Sequence, residues 1–87
     1  MQIEISHSQD PLMGWNISVR VTAEGGEKIA GVTIQVNMIR VVNDEFDSPL
    51  AVYSKQLSRA GQFPGENVVQ VVGRDQNNVE TCGEDSW

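Results

Sequence analysis

Apolar and polar residues alternate along most of this chain, which is the period of a β-strand rather than of a helix. The most regular run covers residues 15–23, where every second position is apolar: Trp15, Ile17, Val19, Val21 and Ala23. The positions between them are polar. A strand with this pattern buries one face and leaves the other in water, so the run predicts a half-buried antiparallel strand.

A glycine-containing turn and a longer strand follow this run. Paired glycines in the segment 24–27 predict a turn, because glycine reaches positive φ at little cost. The next strand is predicted over residues 31–42, but its alternation slips by one residue between Met38 and Ile39. Such a slip sends the later side chains to the opposite face, so we expect a turn or bulge near Asn37.

The rest of the chain has shorter and more polar elements. Strands are predicted at residues 3–5, 67–73 and 79–87, and turns or loops at 7–14, 43–49, 63–65 and 75–78. The segment 50–57 has two interpretations. Helical spacing of Leu50, Tyr53 and Leu57 favours a helix, whereas the residue types Val52 and Tyr53 favour a strand. We prefer the strand because its surroundings are all β.

These elements predict one domain over residues 1–87 with an all-β fold. Six or seven short strands with frequent turns are typical of an immunoglobulin-like antiparallel β-sandwich, and no helical crossovers separate the strands as a parallel sheet would require. The predicted core comprises the inward positions of the main strands: Trp15, Ile17, Val19, Val21, Ile29, Val32, Ile34, Val36, Val69 and Val71.

The net charge of the chain limits the kinds of molecule that it is expected to bind. Twelve acidic and six basic residues give a net charge of −6. Nucleic acids and anionic membranes attract basic surfaces, so neither partner is expected. No apolar segment approaches the ~20 residues that cross a bilayer, so membrane insertion is not expected. The first residues have no basic start and no apolar run, so no signal peptide is predicted in this chain, and a cytoplasmic location stays open.

The chain offers few candidates for catalysis or metal binding. His7 lies between Ser6 and Ser8, but adjacent loop residues rarely hold a base within reach of a nucleophile, so we interpret it as structural. The single Cys82 is expected to be a buried or half-buried thiol. The acidic segment 43–47 carries oxygen ligands suited to calcium, but it lacks the Asp-x-Asp-x-Asp-Gly pattern, so a solvated loop is favoured. We therefore expect no catalytic residue, no metal and no cofactor.

Aromatic side chains are the main indication of a binding role. Exposed rings stack on sugar faces or anchor protein partners. Phe46 in the acidic loop, Tyr53 and the last residue, Trp87, are the candidate contacts with a carbohydrate or protein partner. The parity of Trp15 matches that of Ile17, so we assign it to the core. An edge strand could also recruit a partner strand.

Three stretches carry a resemblance to a known family: VRVTAEGGEKIAGVTIQVN (residues 19–37), DSP (47–49) and FPGENVVQVVGRDQNN (63–78). In this order they resemble the bacterial immunoglobulin-like domains found beside chitinases, other glycoside hydrolases and cell-surface proteins. The resemblance covers most of the chain. Met38 stands where that family has a turn glycine, and Asn67 stands where it often has a corner tyrosine. We therefore expect a different loop in the first long hairpin.

The resemblance implies a function and a location. Domains of this kind are non-enzymatic spacers or accessory modules of larger, multidomain bacterial proteins that are secreted or held at the cell surface. If this protein is secreted, the chain is expected to be an excised piece or to lack its leader. The alternative is a dedicated carbohydrate-binding or adhesin-like module that uses exposed aromatic rings and an edge strand.

Overall fold

Seven strands in two antiparallel sheets make up the fold. A computed structural model describes residues 1–10, 14–59 and 66–87. The strands are β1 (Gln2–Asp10), β2 (Gly14–Thr22), β3 (Ile29–Val36), β4 (Ile39–Leu50), β5 (Val52–Arg59), β6 (Val68–Asp75) and β7 (Glu80–Ser86). One sheet has the order β1-β2-β5 and the other β4-β3-β6-β7. No helix long and apolar enough to span a bilayer occurs among the described residues.

The order of the strands confirms the predicted sandwich. Strand β2 pairs with β5 and β3 pairs with β6, so the chain crosses between the sheets after β2, β4 and β5. This pairing of second with fifth and third with sixth strand is the arrangement of immunoglobulin-like sandwiches. The strand interpretation of residues 50–57 is also confirmed, because Val52–Arg59 pairs with β2 along its whole length.

The predictions of two loops are wrong. Residues 7–10 of the predicted turn 7–14 lie in β1, which pairs with β2 from Gln2 opposite Thr22 to Asp10 opposite Gly14. Residues 11–13 lie outside the described part of the chain. The acidic segment 43–49 lies in β4 instead of a loop. The pairing of β4 with β3 does skip residues 46–49, because the partner position moves from Glu45 to Leu50 at a register shift. The predicted turn at 63–65 lies outside the described residues.

The core lies between the sheets and is formed by the alternating positions. All of the predicted core residues except Trp15 are buried, and Val42, Tyr53 and Ala30 join them. Trp15 is half-buried, because it stands near the start of β2, where the sandwich ends. Burial of side chains of this type contributes about 1.5–3 kcal/mol each, so the two inner faces supply most of the stabilisation.

Strand β1 closes one side of the sandwich by packing against β7. Its odd-numbered side chains face the other sheet, and Ile3 lies so close to β7 that a Cβ placed on Gly83 would be 2.7 Å from Ile3 Cγ2. Farther along, His7 hydrogen-bonds Asp85 of β7. The edges of the two sheets therefore cover one another on this side.

The β3–β4 turn departs from its usual sequence. Asn37 and Met38 both have positive φ, 50° and 69°, as a two-residue hairpin turn of type I′ requires. We expected a different loop because only glycine or asparagine adopts this conformation cheaply, but that prediction is wrong: Met38 adopts it. Asn78, in the β6–β7 turn, also takes positive φ in the manner expected of asparagine.

The sandwich is elongated, with principal extents of 41 × 19 × 19 Å. The end that carries the β3–β4 turn is called the Met38 end, and Asn67, Trp87 and Trp15 lie there too. The opposite end carries the segment 23–28, the start of β5 and the β6–β7 turn, and is called the Val79 end.

Candidate functional site

Two of the three candidate contact residues pack together inside the fold. Tyr53 is only 7% exposed, and the half-buried Phe46 on β4 lies against it with ring centroids 5.6 Å apart. The Tyr53 hydroxyl donates a 2.6 Å hydrogen bond to Asp44 Oδ2. Tyr53 therefore offers no open face for stacking on a sugar, and the half-buried Phe46 offers only part of its ring.

The tyrosine–aspartate contact changes the acidity of the phenol. Burial raises the pKa of Tyr53, and the hydrogen bond to the Asp44 carboxylate raises it further. Both effects disfavour a second negative charge at this point. Tyr53 is thus a neutral hydrogen-bond donor that links β5 to β4 across one side of the sandwich.

Trp87, the third candidate, belongs to a different cluster at the Met38 end. Its ring stacks on the His7 imidazole, with centroids 4.2 Å apart and planes 17° from parallel. Trp15 lies tilted against Trp87 at 5.3 Å and edge-on to His7 at 5.6 Å. His7 Nδ1 is 2.7 Å from Asp85 Oδ2. We call His7, Trp15, Asp85 and Trp87 the end cluster.

The end cluster follows from the register of three strands. Odd-numbered residues of β1 face β7, so His7 continues the row that Ile3 and Ile5 begin. Asp85 pairs with the buried Val69 and therefore points to the inner side of β7. Sequence reasoning missed the cluster because it placed His7 in a turn. Extending the alternation of Ile3 and Ile5 by two more residues would have predicted that the His7 side chain faces the other sheet.

The end cluster holds a base but lacks an adjacent nucleophile among the described residues. Ser6 and Ser8 flank His7 on β1, so their side chains point to the opposite face of that strand. Cys82 pairs with Val72 on the outer face of the other sheet. Its thiol is exposed, so the prediction of a buried or half-buried thiol is wrong.

The acidic segment of β4 does not gather its oxygen atoms at one point. Because neighbouring residues of a strand face opposite sides, Asn43 and Glu45 lie on the outer face, whereas Asp44 turns inward to Tyr53. Glu45 binds Arg74 across Gly31. Within residues 1–10, 14–59 and 66–87, no three His, Cys, Asp or Glu side chains cluster as metal ligands would.

Hydrogen bonds hold the Met38 turn in place. Asn37 Oδ1 accepts a bond from the Val68 backbone N–H at 2.9 Å, and Asn37 Nδ2 donates to Asn67 Oδ1 at 3.0 Å. The backbone N–H of Asn37 donates to the Val68 carbonyl at 2.9 Å. Asn67 is only 1% exposed and exchanges two backbone hydrogen bonds with Trp87. This clamp fixes the turn, whose Met38 side chain is 76% exposed.

A shallow depression lies on the outer face of the three-stranded sheet. Most of the side chains that reach it are small and polar or charged: Glu4, Ser6, Ser18, Arg20, Ser54 and Gln56. Such groups can hydrogen-bond a polar molecule, but no aromatic ring among the described residues lines the depression. It therefore lacks the stacking platform that sugar-binding surfaces commonly use.

Comparison with protein-family models, with curated proteins and with solved structures gave no match to this chain.

Proposed function

We propose that this domain is a non-catalytic spacer or accessory module of a larger bacterial extracellular or surface protein. The observation that carries the proposal is the placement of its two chain ends. Strand β1 begins at the Val79 end, where Gln2 pairs with Thr22, whereas β7 ends at the Met38 end, where Ser86 pairs with Val68. A body of this shape separates whatever is joined to its two ends along a 41 Å axis.

Rigidity is the second requirement of a spacer, and several contacts support it. Strands β2, β3 and β6 each pair on both sides. The packing of Ile3 over Gly83 joins the two sheets at one side, and the hydrogen bond from Tyr53 to Asp44 joins them at the other. A closed pair of sheets bends much less than a single sheet of the same length.

The chemistry of the described side chains also favours a structural role. The imidazole of His7 is engaged by Asp85 and Trp87, and the phenol of Tyr53 by Asp44. These groups stabilise the contacts between strands. A function based on shape and surface presentation requires no chemical reaction of the His7 and Tyr53 side chains.

Single-molecule extension from residue 1 to residue 87 tests the spacer role. A rigid spacer unfolds in one cooperative step. Eighty-seven residues extend to about 290–310 Å and the folded body is 41 Å long, so each event should lengthen the molecule by about 250–270 Å. Gradual lengthening at low force, without a discrete step, would contradict the proposal.

The second candidate function is a carbohydrate- or protein-binding module, and the end cluster favours it. Trp15 and Trp87 are both half-buried and lie together at one end of the molecule, where a partner could contact their remaining exposed surface. Glycan-array binding and partner capture test this candidate. Saturable binding lost in Trp87→Ala but retained in Phe46→Ala would favour it, provided that both variants unfold cooperatively.

A further inference from the structure

The first and last strands, β1 and β7, run in the same direction along the length of the sandwich. Strand β1 starts at the Val79 end and reaches the Met38 end at Asp10, opposite Gly14. Strand β7 also starts at the Val79 end, at Glu80, and reaches the Met38 end at Ser86. A force that draws the two ends of the molecule apart therefore pulls β1 backwards and β7 forwards, each along its own axis.

Each of these two strands is held by an unbroken row of backbone pairs. Strand β1 pairs with β2 in one register from Gln2 to Asp10, and β7 pairs with β6 in one register from Glu80 to Ser86. Hydrogen bonds in an antiparallel pair lie perpendicular to the strands. A pull along the strand therefore strains the whole row at once, whereas a sideways pull at one end breaks the pairs one after another.

Side-chain contacts between β1 and β7 form a third link. Ile3 packs over Gly83, where a Cβ would lie 2.7 Å from Ile3 Cγ2. Nearer the Met38 end, His7 Nδ1 lies 2.7 Å from Asp85 Oδ2, and the His7 ring stacks on Trp87 at a centroid distance of 4.2 Å. Because the force moves β1 and β7 in opposite senses, it strains these contacts together with the two backbone rows.

The irregular pairings of the fold involve β3, which such a force does not pull directly. The β3–β4 and β3–β6 pairings both shift register between Ile29 and Gly31, and the β3–β4 pairing also skips residues 46–49. A register shift locally disrupts a row of backbone pairs and so weakens its resistance to a pull. The two rows that a pull along the long axis strains first are free of such shifts.

We propose that this domain bears tension between the neighbours joined to its two ends, with β1 and β7 as the strands that take the force. The β1–β2 row, the β6–β7 row and the β1–β7 contacts hold these strands in place. The inference rests on the proposed spacer role and adds that the spacer withstands a pull along its axis as well as setting a distance.

The test compares the unfolding force of the full 87-residue chain in two pulling geometries. Handles at residues 1 and 87 pull β1 and β7 along their axes. Handles at residues 1 and 26 pull on two points at the Val79 end, so β1 peels from β2 beginning at Gln2 and Thr22. Gly26→Cys supplies that attachment in an exposed turn, and both geometries use a Cys82→Ser background because the Cys82 thiol is exposed.

The 1–87 geometry should need at least about twice the force of the 1–26 geometry at the same pulling speed, because many pairs, each of modest strength, have to break together. At constant force in the 1–87 geometry, Asp85→Ala should speed unfolding by about two- to fivefold, since it removes the contact with His7. Asp47→Ala is the matched control, because Asp47 is exposed on β4, which is not pulled directly. In the 1–26 geometry neither variant should change the unfolding rate.

Two results overturn the proposal. Equal unfolding forces in the two geometries show that β1 and β7 have no special resistance along the long axis. An unfolding rate of Asp85→Ala that equals that of Asp47→Ala, or that rises equally in both geometries, shows that the β1–β7 contacts do not bear the force. The spacer role is judged separately, because a single full-length unfolding step supports it even when the forces are equal.

Discussion

Replacing Gly83 by alanine should force β1 away from β7. A Cβ at residue 83 would lie 2.7 Å from Ile3 Cγ2 and 3.1 Å from Ile3 Cβ, whereas carbon atoms normally approach to about 3.5–4.0 Å. These atoms are close to the backbone of β1, so rotating the end of a side chain cannot relieve the overlap. The strand itself has to shift by roughly an ångström.

The magnitude follows from two opposing effects. Forcing an extra methyl group into a packed contact costs about 1–3 kcal/mol. Alanine in a strand recovers about 0.5–1 kcal/mol relative to glycine, because glycine loses more conformational entropy on folding. A net loss of about 1–2 kcal/mol is expected. For a domain of this length that lowers Tm by about 5–15 °C.

Urea and thermal unfolding followed by tryptophan fluorescence measure this loss. Gly26→Ala is the control, because a Cβ at that position meets no atom within 4 Å, and it should leave stability within about 0.5 kcal/mol of wild type. Ile3→Ala should rescue part of the Gly83→Ala loss in a double-mutant cycle, by about 0.5–1 kcal/mol. Equal stability of Gly83→Ala and wild type would refute the packing of β1 on β7.

Three further predictions concern the turn, the buried phenol and an exposed edge. Met38→Gly should be more stable than Met38→Ala by about 0.5–1 kcal/mol in urea unfolding, because glycine removes the strain of positive φ; the reverse order would show that the turn is not strained. Tyr53→Phe should lose about 1–2 kcal/mol at pH 7, since it removes the bond to Asp44. The raised pKa of Tyr53 means that the unfolded chain ionises first, so the advantage of wild type over Tyr53→Phe should shrink above pH ~10; an advantage that grows there would contradict the assignment. Lys55→Val should increase concentration-dependent self-association, measured by light scattering. The half-buried Lys55 lies on the edge strand β5, opposite the core-facing Val19 of β2, and its charge disfavours edge-to-edge pairing with another copy. Unchanged scattering would show that Lys55 does not have this role.

The strong alternations were sufficient to predict the inner strands. In β2 the apolar positions alternate with polar ones and face the core, so the sequence pattern and the burial coincide. The buried positions also alternate in β6 and in β3 from Val32 onward, although Val68 and Val72 of β6 face outward. The slip in alternation between Met38 and Ile39 located the β3–β4 turn, because the reversal of the chain there changes which positions face the core.

The edge strands β1 and β4 were harder to predict from the sequence. Edge strands are commonly built from polar and charged residues that discourage pairing with other chains, and those residue types also occur in loops. The segments 7–14 and 43–49 were therefore interpreted as a turn and a loop, although residues 7–10 pair with β2 and residues 43–45 pair with β3. Neither segment has an apolar alternation of its own to indicate a strand.

Contacts between distant residues were the hardest to predict. His7 and Asp85 are 78 positions apart and meet only because β1 packs on β7. Tyr53 was interpreted as a possible surface contact, whereas its parity on β5 places it opposite buried Val21. Both contacts depend on which strands pack against each other across the sandwich. The local periodicity of the sequence does not reveal these strand neighbours.

The proposed spacer role requires the whole elongated body to be rigid, and backbone NMR relaxation measures this rigidity. We expect order parameters of about 0.85 throughout the described strands and at the Met38 turn, with anisotropic tumbling of one body of 41 × 19 × 19 Å. Order parameters below about 0.6 in β4 or at the bend between Leu50 and Val52, or independent tumbling of the two sheets, would contradict it.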